Sequence, residues 1–67
     1  MVTKKLGRKI AELRRAAKLT QAQLAEKCDY SVEFISLVER GVNAPSVAGC
    51  ERIAAVFNIA LKDLFDF

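Results

Sequence analysis

Apolar residues recur along this chain at intervals of three and four, which is the spacing of helices that bury one side. In the first segment this spacing predicts an amphipathic helix from Thr3 to Lys18. The inward-facing residues of that helix would be Leu6, Ile10, Leu13 and Ala17. The alternation of apolar and polar residues that is typical of a strand is absent from the sequence. The pattern therefore predicts an all-α fold.

A second helix is predicted to open at Thr20, because a threonine followed three residues later by Gln23 forms a capping box. Its short apolar side consists of Leu24, Ala25 and Cys28. Asp29 tolerates a left-handed backbone, and Ser31 can cap a following helix. The stretch Cys-Asp-Tyr-Ser therefore predicts a tight turn between two helices, and not a damaged point in one long helix.

Three further helices complete the predicted bundle. Ile35 and Val38 face inward from the third helix, which Gly41 ends. Ser46 opens a fourth helix that closes at Asn58, and its apolar stripe would be Val47, Cys50, Ile53, Ala54 and Phe57. A short fifth helix would contain Leu61, Leu64 and Phe65. We expect a compact five-helix bundle in a single domain over residues 1–67, with a helix-turn-helix formed by helices two and three.

The net charge of +3 is unevenly distributed over the 67 residues. Seven cations precede Leu19 against one carboxylate, that of Glu12, and they are Lys4, Lys5, Arg8, Lys9, Arg14, Arg15 and Lys18. A basic helix is either a solvated surface or a surface that lies near phosphate or an anionic membrane. The charge alone does not decide between these interpretations.

The residue types exclude most catalytic chemistry. The chain has no histidine, no Cys-x-x-Cys pair and no glycine-rich phosphate loop, so we expect no enzyme, metal, cofactor or small-molecule ligand. No apolar run approaches the roughly 18 residues of a membrane span, and no secretory signal is evident, which favours a cytoplasmic location. Cys28 and Cys50 are predicted to be small buried hydrophobic residues and not a disulfide.

With catalysis excluded, the function that remains is binding, and one run of residues indicates which class of binding protein this is. Residues 19–46, LTQAQLAEKCDYSVEFISLVERGVNAPS, resemble the lambda-repressor/Cro-like (XRE-type) helix-turn-helix family. The resemblance continues through helix four to the Leu-x-x-Leu-Phe ending. In size, the chain is similar to the small controller proteins of restriction–modification systems. Phage and antitoxin repressors are equally short. The resemblance implies a transcriptional regulator that binds double-stranded DNA as a homodimer.

The same resemblance assigns roles to single residues. The implied DNA-binding residues are Thr20, Gln21, Ser31, Val32, Glu33, Ser36, Leu37, Arg40 and Asn43. Arg14 and Glu39 match a pair that bridges helices one and three in relatives, so we interpret both as structural. Val42 stands where the family often has a basic residue, and Glu33 where it commonly reads bases with Gln, Arg or Lys. The operator sequence therefore cannot be deduced.

Three interpretations stay open at this level. The apolar ending, with Leu64, Phe65 and Phe67, is the predicted dimer interface together with helix four, although Phe65 fits a core position equally well. Tyr30 and Phe34 either pack at the helical corner or lie over the sugar-phosphate backbone, with packing favoured for Phe34. The alternative function is a protein–protein interaction module that uses the same corner without DNA.

Overall fold

Five α-helices make up the fold in this computed structural model, which describes residues 2–67. They are α1 Val2–Ala16, α2 Gln21–Cys28, α3 Val32–Glu39, α4 Val47–Val56 and α5 Leu61–Leu64. The described residues contain no strand, and the predicted all-α fold with five helices is confirmed. None of the helices in residues 2–67 has both the length and the apolar character needed to cross a membrane.

The predicted N-caps begin α2, α3 and α4. Thr20 and Gln23 form a full capping box, since Thr20 Oγ1 accepts from Gln23 N at 3.1 Å and Gln23 Oε1 accepts from Thr20 N at 2.8 Å. The hydroxyls of Ser31 and Ser46 each accept a bond from the backbone N–H three residues further on, at 3.1 and 3.0 Å. These bonds satisfy donors that the first turn of a helix leaves unpaired.

Residues with a left-handed backbone follow the helices and turn the chain. They are Lys18, Asp29, Gly41 and Asn58, with φ of 60°, 61°, 77° and 56°. The ends predicted at Asp29, Gly41 and Asn58 are therefore confirmed. The pattern predicts α1 as far as Lys18, whereas the helix ends at Ala16, because Lys18 itself leaves the helical conformation. Ala17, predicted to face inward, is exposed as a result.

The core lies where α1 to α5 converge. Its large, fully buried side chains are Ile10, Leu24, Cys28, Ile35, Val38, Ile53 and Leu64. Val47 is 71% exposed and does not join the predicted stripe of α4, because it stands at the rim of an open groove that no helix covers. Leu64 has no exposed area. The interpretation of Leu64 as a dimer-interface residue is therefore wrong, since its side chain is fully enclosed within the chain.

Both cysteines are free thiols and buried, as the sequence predicts. Burial raises the pKa of the Cys50 thiol and of the Cys28 thiol, although the positive charge of Arg52 partly opposes the shift at Cys28. A raised pKa keeps both thiols protonated at neutral pH, so each behaves as a small apolar side chain.

Helix α1 crosses α3 at Gly7. A Cβ atom at this position would lie 2.1 Å from the backbone oxygen of Val38 and 3.0 Å from that of Glu39. Only a residue without a side chain permits this approach. The close contact sets the first helix directly against the last turn of α3, and it was not predicted from the periodicity of the sequence.

Candidate nucleic-acid interface

The corner between α2 and α3 is fixed by backbone and side-chain bonds. Asp29 turns the chain, after which Tyr30 N donates to Ala25 O at 2.9 Å. Arg52 Nε, from α4, donates to the terminal carbonyl of Cys28 at 2.9 Å. The carboxyl end of α2 thus receives a hydrogen bond from another helix, which helps to hold the corner at one angle.

An aromatic cluster lies against the same corner. The rings of Tyr30 and Phe34 are 4.6 Å apart between centroids, and the Arg52 guanidinium carbon lies 4.9 Å from the centre of the Tyr30 ring. The Tyr30 hydroxyl occupies the space where Gly49 lacks a side chain, since a Cβ there would lie 1.7 Å from the oxygen. Both rings pack against the core. Both rings therefore have the packing position at the helical corner that the sequence offered as one of the two alternatives.

A shallow surface on the outside of α3 collects most of the predicted base-contacting side chains. We call it the recognition face, and it consists of Gln21, Val32, Glu33, Ser36, Leu37 and Arg40. Val32 is 39% exposed, and Glu33 is exposed beside it, whereas Ser36 and Leu37 are half-buried. Within residues 2–67, Glu33 has no salt-bridge partner. The face thus combines apolar contact with one unpaired carboxylate and one cation.

The other predicted DNA contacts flank this face. Thr20 and Ser31 are exposed, and their hydroxyl oxygens already accept the capping bonds, so each hydroxyl proton stays available to a phosphate oxygen. Asn43 is exposed in the loop after α3, where its backbone N–H lies 3.4 Å from Leu37 O. Six of the nine predicted residues thus line one surface, the recognition face, and the other three are exposed next to it in the chain or in the following loop.

Glu39 is the centre of a network that ties three helices together. Its Oε2 accepts from Arg14 Nε at 2.6 Å, and its Oε1 accepts from Arg14 Nη2 at 3.1 Å. Arg14 Nη1 also donates to Leu19 O at 2.8 Å. The side chains of Arg14 and Glu39 are only 13% and 6% exposed, and the hydrogen bond to Glu39 raises the pKa of Arg14 although burial opposes it. The predicted ion pair is present and links α1 to α3.

Gln21 joins this network from the first turn of α2. Its Nε2 donates to Glu39 Oε1 at 3.0 Å, and the side chain is half-buried. The family resemblance implies a phosphate contact at this position, whereas nothing in the sequence predicts the bond to Glu39, which spans 18 positions of the chain. Gln21 therefore connects the recognition face directly to the ion pair that holds α1 against α3.

A second surface, distinct from the recognition face, is apolar. We call it the apolar groove, and its lining includes Val2, Leu6, Pro45, Val47, Leu61 and Phe65. Phe65 is 42% exposed at its edge, and Phe67, 50% exposed, lies with its ring 6.4 Å from that of Phe65. The groove and the recognition face share no residue. Occupation of the groove would therefore leave α3 free.

This arrangement of helices agrees with known proteins. A sequence model described as helix-turn-helix matches residues 10–64. The chain belongs to the helix-turn-helix family. One relative is the control protein C.BamHI of Bacillus amyloliquefaciens, 34% identical over 62 residues that cover 91% of this chain and 76% of C.BamHI. An uncharacterized HTH-type transcriptional regulator of Archaeoglobus fulgidus is 39% identical over 59 residues, or 88% of this chain and 84% of that protein.

A solved structure extends the match to three dimensions. The restriction–modification controller protein C.AhdI of Aeromonas hydrophila superposes with a TM-score of 0.87 at 29% identity, covering 92% of this chain and 90% of C.AhdI. These matches confirm the predicted resemblance to XRE-type helix-turn-helix proteins and to small controller proteins. The chain is a helix-turn-helix transcriptional regulator and not an enzyme.

Proposed function

We propose that this regulator binds a two-fold-related DNA operator as a homodimer, with α3 of each protomer in the major groove. The observation that supports this most strongly is the recognition face, in which four residues of α3 share one open side of the helix with Gln21 and Arg40. A major groove about 12 Å wide admits a helix, and base edges are read there. We also propose a cytoplasmic location for this regulator.

The side chains on this face suit different parts of a duplex. Val32 and Leu37 offer apolar contact to thymine methyl groups, and the Ser36 hydroxyl can bond with either type of base. Gln21 and Thr20, at the positive end of α2, are suited to phosphate contacts, as are Arg40 and Asn43 beyond α3, with Ser31 at its beginning. These phosphate contacts fix the position of α3 on the duplex without reading its sequence.

Selection of bound duplexes from a random pool tests this function. We expect enrichment of a pseudo-palindrome whose half-sites lie about 10 base pairs apart, because two recognition helices on one face of DNA are separated by one helical turn. An enriched sequence without two-fold symmetry would contradict the dimer. Failure to enrich any sequence would contradict sequence-specific binding and would favour the interaction module.

The dimer interface that we propose is the edge of the apolar groove together with Phe65 and Phe67. A contiguous patch of exposed apolar side chains is typical of an interaction surface, whereas single exposed apolar residues are common. A second copy can cover this edge on both protomers at once, as a two-fold interface requires. Because Leu64 belongs to the core, removal of the whole ending would also unfold the chain, and single substitutions at exposed positions test the interface better.

Val47→Glu should convert the dimer into a monomer, because it places a charge in the apolar contact without disturbing the core. Val47 is 71% exposed in the first turn of α4, where a carboxylate also interacts favourably with the helix dipole. Sedimentation equilibrium measures the change. Val42→Glu is the matched control, since Val42 is 62% exposed and lies outside the groove. Equal dimerisation of both variants would place the interface elsewhere.

Glu33→Ala should raise affinity for random DNA and lower the preference for one base pair in each half-site. The unpaired carboxylate repels every duplex, whereas only the correct site supplies a cytosine amino group for it to accept from. We expect a loss of discrimination of about 1–3 kcal/mol per contact. Binding to all four base pairs at each operator position measures it.

The matched control for that experiment is Glu26→Ala. Glu26 is an exposed carboxylate on α2 that does not belong to the recognition face. Its removal should shift operator and random DNA together. The same parallel shift in Glu33→Ala would show that Glu33 is only a solvated charge.

A further inference from the structure

A cluster of cations lies beside the recognition face, outside the helix-turn-helix. Lys4, Arg8 and Arg15 of α1 and Arg40, which follows α3, surround one concave surface next to Ala11. We call these four cations the basic cluster. The carboxylate on this surface is that of Glu39. Like charges gathered at one place raise the local concentration of anionic partners.

The charge of the basic cluster is not neutralised from within the protein. Glu39 forms its ion pair with Arg14, which does not line the surface. Within residues 2–67, no cation of the cluster has a salt-bridge partner. The surface therefore presents four free positive charges, which suits a polyanion better than a partner with a single carboxylate.

The basic cluster is continuous with the recognition face through Arg40. This residue lines both surfaces, so a duplex that contacts Arg40 at the end of α3 lies next to the cluster. The close approach at Gly7 keeps α1 directly against the last turn of α3. The three cations of α1, from Lys4 to Arg15, extend over about 16 Å along the helix axis at 1.5 Å per residue. That length corresponds to several phosphates of a DNA strand.

We propose that α1 forms a second DNA-backbone contact, in which Arg8 and Arg15 bind phosphates next to the one held by Arg40. This inference rests on the proposed function. It extends the DNA-binding surface from the helix-turn-helix to the first helix. It also compensates for the acidic Glu33 and for Val42, an apolar residue in the loop after α3, by supplying attraction from a different element.

A different explanation is that the cations stabilise the negative end of α3. Cations near the carboxyl end of a helix interact favourably with its dipole, but this effect is confined to the last turn. Lys4 fits that explanation, because a Cβ added to Gly41 would lie 2.6 Å from Lys4 Cγ, so the two residues are in contact. The decisive residues are therefore Arg8 and Arg15, and the test leaves Lys4 and Arg40 unchanged.

The test compares the salt dependence of binding for the parent chain and for R8Q/R15Q. The probe is a mixed-sequence duplex several helical turns long, since phosphate contacts do not need the operator. Each lost phosphate contact should lower the slope of log K against log salt by about 0.9, so the double variant should lose nearly two units. The affinity gap between the two chains should therefore shrink about tenfold between roughly 50 and 200 mM salt.

Two matched variants separate phosphate contact from net charge and from misfolding. K27Q/K62Q removes the same charge from exposed positions outside the cluster and should keep the parent slope within a few tenths of a unit. R8K/R15K retains both charges and should also keep it. A slope for R8Q/R15Q equal to that of K27Q/K62Q would overturn the second contact.

The outcomes also distinguish this inference from the proposed function. A parent chain that selects an operator but has the same slope as R8Q/R15Q would retain the proposed function and overturn only the contact by α1. A parent chain that binds no duplex at any salt concentration would overturn both. Circular dichroism of each variant checks that its helices are intact.

Discussion

Replacing Glu39 with alanine should lower the free energy of unfolding by about 3 kcal/mol. Breaking a buried ion pair costs about 3–5 kcal/mol, and the lower end applies because Arg14 keeps some contact with solvent. The substitution removes the acceptor of Arg14 Nε, Arg14 Nη2 and Gln21 Nε2 at once. A domain of this size has a total stability of only about 3–10 kcal/mol. Glu39→Ala should therefore lose a large share of the total stability of the fold.

Urea denaturation followed by circular dichroism measures this loss. Glu39→Gln is the first control, since it keeps an acceptor oxygen but removes the charge, and its loss should be smaller. The second control is the double variant R14M/E39M. Apolar replacement of both partners leaves no charge unpaired, so it should be more stable than Glu39→Ala. A double variant no more stable than Glu39→Ala would show that packing around Glu39, and not its pairing, supplies the stability.

Gly7→Ala should destabilise the protein by about 2 kcal/mol, although alanine is the better helix former by about 1 kcal/mol. The new methyl carbon would stand 2.1 Å from Val38 O, which belongs to the backbone and cannot rotate away. Helices α1 and α3 must therefore separate. We estimate that overpacking costs about 3 kcal/mol, which outweighs the gain in helix propensity.

Thermal unfolding of Gly7→Ala measures the net effect, and a pair of variants at Glu12 supplies the control. Glu12 is exposed on α1, so Glu12→Ala should exceed Glu12→Gly in stability by about 1 kcal/mol. The same two residue types thus have opposite effects at the two positions. A Gly7→Ala chain that is more stable than the parent would show that α1 can move away from α3 at little cost.

Local signals in the sequence predicted the helices and the corner between α2 and α3. A capping bond joins residues three positions apart, and a left-handed turn depends on one residue. The caps at Thr20 and Ser31 and the turn at Asp29 could therefore be predicted from the residue types at these positions and their near neighbours. The family resemblance added the Arg14–Glu39 pair, which helical spacing alone could not indicate. The outward positions of α3 followed from the inward positions of Ile35 and Val38.

Contacts between distant segments did not follow from the sequence. Gly7 lies in an ordinary helical pattern. The only feature of the sequence that points to its close contact with α3 is the presence of a glycine inside a helix, where other residues are preferred. The bond from Arg52 to Cys28 O spans 24 positions. Leu64 and Phe65 are neighbours with the same apolar character, yet one is enclosed and the other exposed. Only the packing of α5 on α4 and α1 separates their roles.

The positions of the helices and turns follow from the amino-acid sequence, because capping, periodicity and turn preference act within a few residues. Which charges meet depends on how the helices pack in three dimensions. This packing brought the cations of α1 beside Arg40, buried Glu39 between Arg14 and Gln21, and left the edge of the apolar groove open. These outcomes depend on the angles between helices, which close packing of side chains from all five helices sets together.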